Sequence, residues 1–221
     1  MALTDIRRSL PGTVRVVVIR GAGRAFSAGL DRSLLASPNG QMAALAAGSG
    51  EAADQRIETW QQAFDWRSAP TTVSLAAVHG YAIGAGFQLA LGCDLRILAD
   101  DAVFAMAEAT LGLVPDLGGT KRLIDLVGYS VAADLCLTGR RVDAREAREI
   151  GLASRVVGAD RLGIEVAATV DSLLKVDRDA AAEVKALLLR AGASSQDAQQ
   201  AAERQAQYRR LRSLAGLDHE S

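Results

Sequence analysis

Two short stretches hold the residues whose types and spacing could do chemistry. "GRAFSAGLD" (Gly23–Asp31) and "GYAIGAGFQL" (Gly80–Leu89) each crowd glycine and alanine into a turn behind an apolar run. Small residues let a ligand approach backbone N–H groups, and a helix beginning there adds partial positive charge. One N–H from each turn could bind a single oxygen on which negative charge develops; losing one such donor typically costs about 10²–10³ in rate. One turn into the second stretch stands Gln88, a neutral amide that cannot take or give a proton near neutral pH.

Each turn has rival readings. Gly84-x-Gly86 begins like a dinucleotide fingerprint, but Leu89 occupies the third glycine position. "AFSAG" is close to a nucleophile elbow with Ala25 in place of the first glycine; a triad would need Ser27 with His79 or His219. The glycines could also serve only close helix–strand packing. For one turn alone that bland reading is preferred; for the two together, the anion-binding one is.

The elements that must position these turns follow from hydrophobic patterning. "VRVVVIRG" (Val14–Gly21) reads as a strand buried on both faces, and Thr71–Gly80 as a second. A helix is expected over Gly84–Cys93, short strands at "LRILAD", "AVFAMA" and Leu152–Val157, and helices near Gly119–Val127, Val131–Leu137 and Asp143–Ile150. Asp143 can N-cap the last, with Glu146 three residues on and Gly151 beyond its end. Alternating strands and helices argue for α/β with largely parallel pairing. Helices alone are expected at Arg161–Leu174, Ala180–Ala191 and Gln196–Leu214. Ala36–Gln55, rich in Ala, Gly and Ser, is expected to be mobile, with room for a weak helix.

Composition narrows the classes. The chain has 221 residues and a formal net charge of −1, which leaves no electrostatic footprint for nucleic acid or an anionic membrane. Two cysteines, Cys93 and Cys136, lie in apolar surroundings and read as reduced core residues of a cytoplasmic protein. Two histidines are too few for a His-rich metal centre, and no metal site is expected. Ser68–Cys93 lacks charge, but its Pro, Gly and Thr residues point to a strand, a turn and a helix rather than a membrane span.

"GRAFSAGLD", "HGYAIGAGFQLALGCDLRILADDAVFAMAEATLGLVPDLGGTKRL" and "TGRRVDAREAREIGLASRVV" resemble, in order and spacing, the crotonase superfamily of enoyl-CoA hydratases and isomerases. The resemblance implies a spiral of β-β-α units over residues 1–158 and an all-helical trimerisation region over 159–221. It also implies a homotrimer or dimer of trimers, and an acyl-CoA thioester as substrate, with coenzyme A entering as part of it and no separate cofactor. The family's N-terminal hairpin is expected to be missing. By position, Leu30 and Ala85 would supply the oxyanion amides, while Ala28, Asp31, Arg32 and Ser33 would run along the CoA. Family hydratases use two glutamates, here Gln88 and Glu108, so a two-carboxylate hydration mechanism is in doubt. Glu108 otherwise reads as an exposed acid at a strand end; burial would raise its pKa into a range useful for moving protons. Asp116 matches the catalytic aspartate of some family isomerases, and equally reads as an N-cap. An enoyl-CoA isomerase is the first expectation. A hydratase using Glu108 with Gln88 orienting water or thioester comes second, and a non-catalytic acyl-CoA binder third. The basic stretch Glu203–Leu214 reads as a solvated helix face.

Overall fold

The computed structural model describes residues 2–31, 33–37 and 40–217. Its strands are β1 (Val16–Arg20), β2 (Val73–Val78), β3 (Tyr81–Ile83), β4 (Leu95–Ala99), β5 (Val103–Ala105), β6 (Arg141–Asp143) and β7 (Arg155–Val157). They form a parallel sheet in the order β1-β2-β4-β7 and a small sheet in the order β3-β5-β6, where only β5–β6 is antiparallel. Strands therefore come in pairs: β2 then β3, β4 then β5, the first of each pair in the large sheet and the second in the small one. β3 and β6 have three residues each and were not expected from the sequence. A three-residue strand is too short to show a period of two.

The helices are α1 (Ala2–Ser9), α2 (Ser33–Ala36), α3 (Gln41–Ala47), α4 (Gly50–Phe64), α5 (Ala85–Leu91), α6 (Gly119–Val127), α7 (Tyr129–Thr138), α8 (Ala144–Glu149), α9 (Leu162–Leu174), α10 (Arg178–Ala191) and α11 (Gln196–Leu214). The Asp143 carboxylate accepts the Glu146 amide at the start of α8, as its spacing predicts. The Ala36–Gln55 stretch holds more helix than the weak one expected, α3 and the start of the fifteen-residue α4, where Ser49 Oγ accepts the Ala52 amide. A good N-cap followed by residues of fair propensity outweighs the absence of large apolar anchors. β1 is not buried on both faces, because it lies at the sheet edge with Val18 37% exposed.

Packing follows the two-residue period of the central strands. Ala76, Val78 and Leu98 face the main core with Phe87, Leu91, Phe104, Leu123 and Leu135. Leu75, Ala77, Ile97 and Ala99 face the other way, onto Leu162 and Val166 of α9. The uncharged Ser68–Cys93 stretch resolves into β2, β3 and α5, and no helix among the described residues is long and apolar enough to cross a membrane.

Candidate active site

The two glycine turns leave the carboxyl ends of β1 and β2 and are stitched side by side. Ser27 bridges Ala82 in parallel, Phe26 N donates to the His79 carbonyl at 2.9 Å, Ser27 N to Tyr81 O at 2.9 Å, and Ile83 N to Ser27 O at 3.0 Å. Three glycines permit this. A Cβ on Gly86 would sit 2.6 Å from Ser27 Cβ, and one on Gly29, at φ +87°, would sit 2.5 Å from the Ile83 carbonyl and 3.7 Å from the Ala85 nitrogen. Gly84 holds φ +51° immediately before α5. The consequence is that the amides of Leu30 and Ala85 belong to adjoining backbone. Neither donates to an acceptor among the described residues.

Glu108 meets these turns from the far side of β5. It opens a 3-10 turn, Glu108–Leu111, and its Oε1 and Oε2 lie 3.3 and 3.6 Å from where a Gly84 Cβ would be. Gln88 Nε2 donates to Glu108 Oε1 at 2.7 Å. Glu108 Oε2 is buried with no hydrogen-bond partner. Desolvation raises the Glu108 pKa above its ordinary 4.5, and the nearby Asp116 charge adds to the rise, against the lowering effect of its own amide and Gln88.

Gln88 is completely buried, and its orientation is dictated by its partners. Its Oε1 accepts the amides of Leu117 at 2.8 Å and Gly119 at 3.2 Å, so the NH₂ group must face Glu108. A Cβ on Gly119 would fall 2.7 Å from Gln88 Cγ, which explains the glycine. From the sequence this amide is free to orient a water or a thioester; here its oxygen holds the loop that carries Asp116 and its nitrogen donates to Glu108, so it clamps the two together.

Asp116 is half-buried on that loop, and burial raises its pKa. It does not cap α6. Gly118 stands at the N-cap without a side-chain bond, because a φ of +80° there turns the chain before Asp116 can reach the first amides. Gln61 Nε2 of α4 donates to the Asp116 carbonyl at 2.8 Å and pins the loop from outside. Gln61 was missed in the sequence because nothing near it hints at a partner fifty-five residues away.

The remaining candidates that the structure describes are exposed. Ala28 is exposed, Leu30 is 39% exposed, and Asp31 Oδ1 accepts the Ser33 amide at 2.9 Å, which lowers the Asp31 pKa. Arg32 and His219 lie outside the described residues. The His79 version of the triad finds no support in the geometry. His79 Nε2 is bound to the Gly23 carbonyl at 2.8 Å, so that nitrogen must carry a proton, and Ser27 Oγ accepts the Gly29 amide at 3.2 Å. Cys93 is buried and its thiol is pushed up to about 12 by desolvation, which makes it inert.

Paired strands feeding two sheets, with a helix after each of the glycine-rich turns, match the crotonase fold. The chain belongs to the enoyl-CoA hydratase/isomerase family, whose model matches residues 1–215. A Thermobifida fusca YX protein named as an enoyl-CoA hydratase, crystallised in complex with CoA, superposes with a TM-score of 0.88 at 46% identity, over 97% of this chain and 82% of that one. Its acetoacetyl-CoA complex superposes with a TM-score of 0.87, over 95% and 82%. An enoyl-CoA hydratase relative from Mycobacterium bovis is 40% identical over 82% of this chain and 66% of its own length. The peroxisomal Delta(3,5)-Delta(2,4)-dienoyl-CoA isomerase of Arabidopsis thaliana is 36% identical over 66% and 53%. The chain thus spans less than two thirds of the length of these curated relatives.

Proposed function

We propose that the chain catalyses a 1,3-proton shift in an enoyl-CoA thioester, with Glu108 carrying the proton. The observation behind this reading is the unpartnered, buried Oε2 of Glu108 beside the Gly84–Ala85 turn, with a neutral Gln88 hydrogen-bonded to the other oxygen. A desolvated carboxylate with a raised pKa gains and loses a proton nearer neutrality. Water addition asks for a second acid–base group next to the first, and the residue there cannot serve.

The Glu108 carboxylate takes a proton from the carbon α to the thioester of a 3-enoyl-CoA. The electron pair moves into the carbonyl, whose oxygen becomes anionic between the Leu30 and Ala85 amides. The same proton returns at the γ carbon, the double bond moves into conjugation, and no atom is gained or lost. Asp116, raised by burial and close enough for its charge to act on Glu108, serves proton return where one carboxylate cannot span both carbons. Ala28, Asp31 and Ser33 lie on the rim where the CoA would run, and coenzyme A arrives as part of the substrate. Apolar residues left exposed on the C-terminal helices, Tyr208, Leu211 and Leu214, suit a homotrimeric contact, which light scattering in solution would reveal.

Turnover of 3-enoyl-CoA and 2-enoyl-CoA in deuterated water tests the chemistry. A double bond moved between the 2 and 3 positions without a new hydroxyl supports the isomerase, and the amount of deuterium at the γ carbon reports how far the carried proton exchanges with water before it returns. A 3-hydroxyacyl-CoA product replaces it with a hydratase, in keeping with the names of many relatives. Saturable binding with neither product leaves a non-catalytic acyl-CoA binder.

A further inference from the structure

A cavity of about 470 Å³ opens far from the cleft, within the range of about 300–1,000 Å³ typical of small-molecule sites. Val16, Val73 and Leu95 line it, and these are the first residues of β1, β2 and β4. It therefore sits at the amino ends of the parallel strands, while the two glycine turns leave their carboxyl ends. Leu173 of α9 and Leu188 of α10 close the apolar wall.

The charges on that wall are one-sided. Arg15, Arg67, Arg96, Arg178 and Lys185 line the cavity, against a single carboxylate, Asp94. Lys185 Nζ pairs with Asp94 Oδ2 at 2.8 Å, which also accepts the Ser74 amide and hydroxyl at 2.7 Å each. None of the four arginines forms an ion pair among the described residues. Arg15 is spent on the carbonyls of Leu173, Leu174 and Val176, and Arg178 donates to the Gly12 carbonyl.

Arg67 and Arg96 differ from these. Arg96 is only 4% exposed; its Nε donates to Leu152 O at 2.7 Å and its Nη1 to Cys93 O at 2.9 Å, while its Nη2 has no partner among the described residues. The Arg67 side chain makes no hydrogen bond among those residues. Both guanidiniums line the one cavity without an ion pair among the described residues; desolvation, and to a lesser degree the Arg67 charge, push the Arg96 pKa down to about 10, against the raising effect of the Asp94 charge. A buried cation without a counter-ion is costly, and a ligand carboxylate would relieve that cost with charge-assisted hydrogen bonds.

We infer that this cavity is a second ligand site for the monoanion of an aliphatic carboxylic acid, with its carboxylate between Arg67 and Arg96 and its chain against Val73, Leu95, Leu173 and Leu188. A carboxylate suits the few unspent N–H groups better than a polyanion, which would need more donors than this wall has left. The apolar surround selects a hydrocarbon tail over a bare anion.

Titration calorimetry of the full chain with octanoate tests this, with octanol and inorganic sulfate as the other probes. Saturable binding of one octanoate per chain is expected, with octanol and sulfate each at least about tenfold weaker. Arg67→Met should weaken octanoate by about tenfold or more, through loss of one charged partner. Leu188→Glu, at an exposed rim position that disturbs no core packing, should weaken it as well by adding a repelling carboxylate. Acetoacetyl-CoA at saturation should leave octanoate affinity unchanged. No octanoate binding overturns the inference; so does octanol or sulfate binding as tightly, an unaltered Arg67→Met, or displacement by acetoacetyl-CoA, which would put the octanoate in the cleft. Failure of acetoacetyl-CoA to bind at all would count against the thioester reading and leave this one standing.

Discussion

The two ends of the large parallel sheet bury ionisable groups of opposite kind, and burial shifts both. At the carboxyl ends, desolvation raises the pKa of Glu108 and of Asp116. At the amino ends, the same desolvation lowers Arg96 to about 10. A carboxylic acid moved toward neutrality can serve in either protonation state. A guanidinium moved by the same cause still carries its charge at neutral pH. One end is thus suited to moving protons and the other to holding an anion, and each keeps a polar group unspent: Glu108 Oε2 and the Arg67 side chain.

The largest expected effect comes from removing the proton carrier. Glu108→Gln keeps shape and most contacts, so kcat for isomerisation should fall by about 10²–10⁴ with KM little changed. The raised pKa also sets a sign for stability. The folded state holds this proton more tightly than the unfolded chain does, so the contribution is full below the ordinary value of 4.5 and is lost as pH rises through the raised value. Urea unfolding at a series of pH values should show Glu108→Gln gaining on the wild type as pH rises across that window. A gap that stays constant, or a variant that still isomerises while Asp116→Asn does not, would move the base elsewhere.

Next come the turns. Gly84→Ala forces a side chain to φ +51° with its Cβ 3.3 Å from Glu108 Oε1, and it tilts the amide that follows. A loss of about 10²–10³ in kcat/KM is expected, with far-UV circular dichroism unchanged. Full activity in that variant would show that the Ala85 amide does not hold the anion.

At the amino ends the expected effect is on stability. Lys185 ties α10 to the Thr72 carbonyl and to Asp94, and it is only 7% exposed. Lys185→Met strands a mostly buried carboxylate and should cost about 3 kcal/mol in denaturant unfolding. Adding Asp94→Asn should restore part of that. Equal losses in the single and double variants would mean that packing, not charge, joins the helix to the sheet.

How much of this was legible in the sequence depended on how local each cause is. α6 and α11 match their expected ends, Gly119–Val127 and Gln196–Leu214, because apolar periodicity and flanking residues act within a few positions. The glycine turns were legible for the same reason, since a missing Cβ is visible in one letter. The Asp116 cap failed because the positive φ of Gly118 cannot be read from residue type alone. The edge position of β1 and the role of Gln88 depend on partners distant in sequence: Glu108, Leu117 and Gly119 lie twenty to thirty-one residues from Gln88. The arginine-lined cavity was invisible for the same reason, as its cations come from four separate segments of chain.

The smallest expected effect is the most discriminating about Gln88. In Gln88→Glu one oxygen can still accept the Leu117 and Gly119 amides, so the loop should hold and the melting temperature should barely move. The other oxygen replaces an N–H donor 2.7 Å from Glu108 Oε1. Two carboxylates that close cannot both ionise, so they share a proton and titrate as a pair. The acidic limb of kcat/KM should therefore shift to higher pH, with a loss at neutral pH of less than about tenfold if the shift is under one unit. Gln88→Met is the contrast: it abandons two buried amides, at roughly 1–3 kcal/mol each, and should unsettle the loop without moving the limb upward. An acidic limb in Gln88→Glu that coincides with the wild type's would mean that Glu108 is not the group being titrated. The carboxyl ends of the sheet would then keep their geometry but lose the proton chemistry that sets them apart from the amino ends.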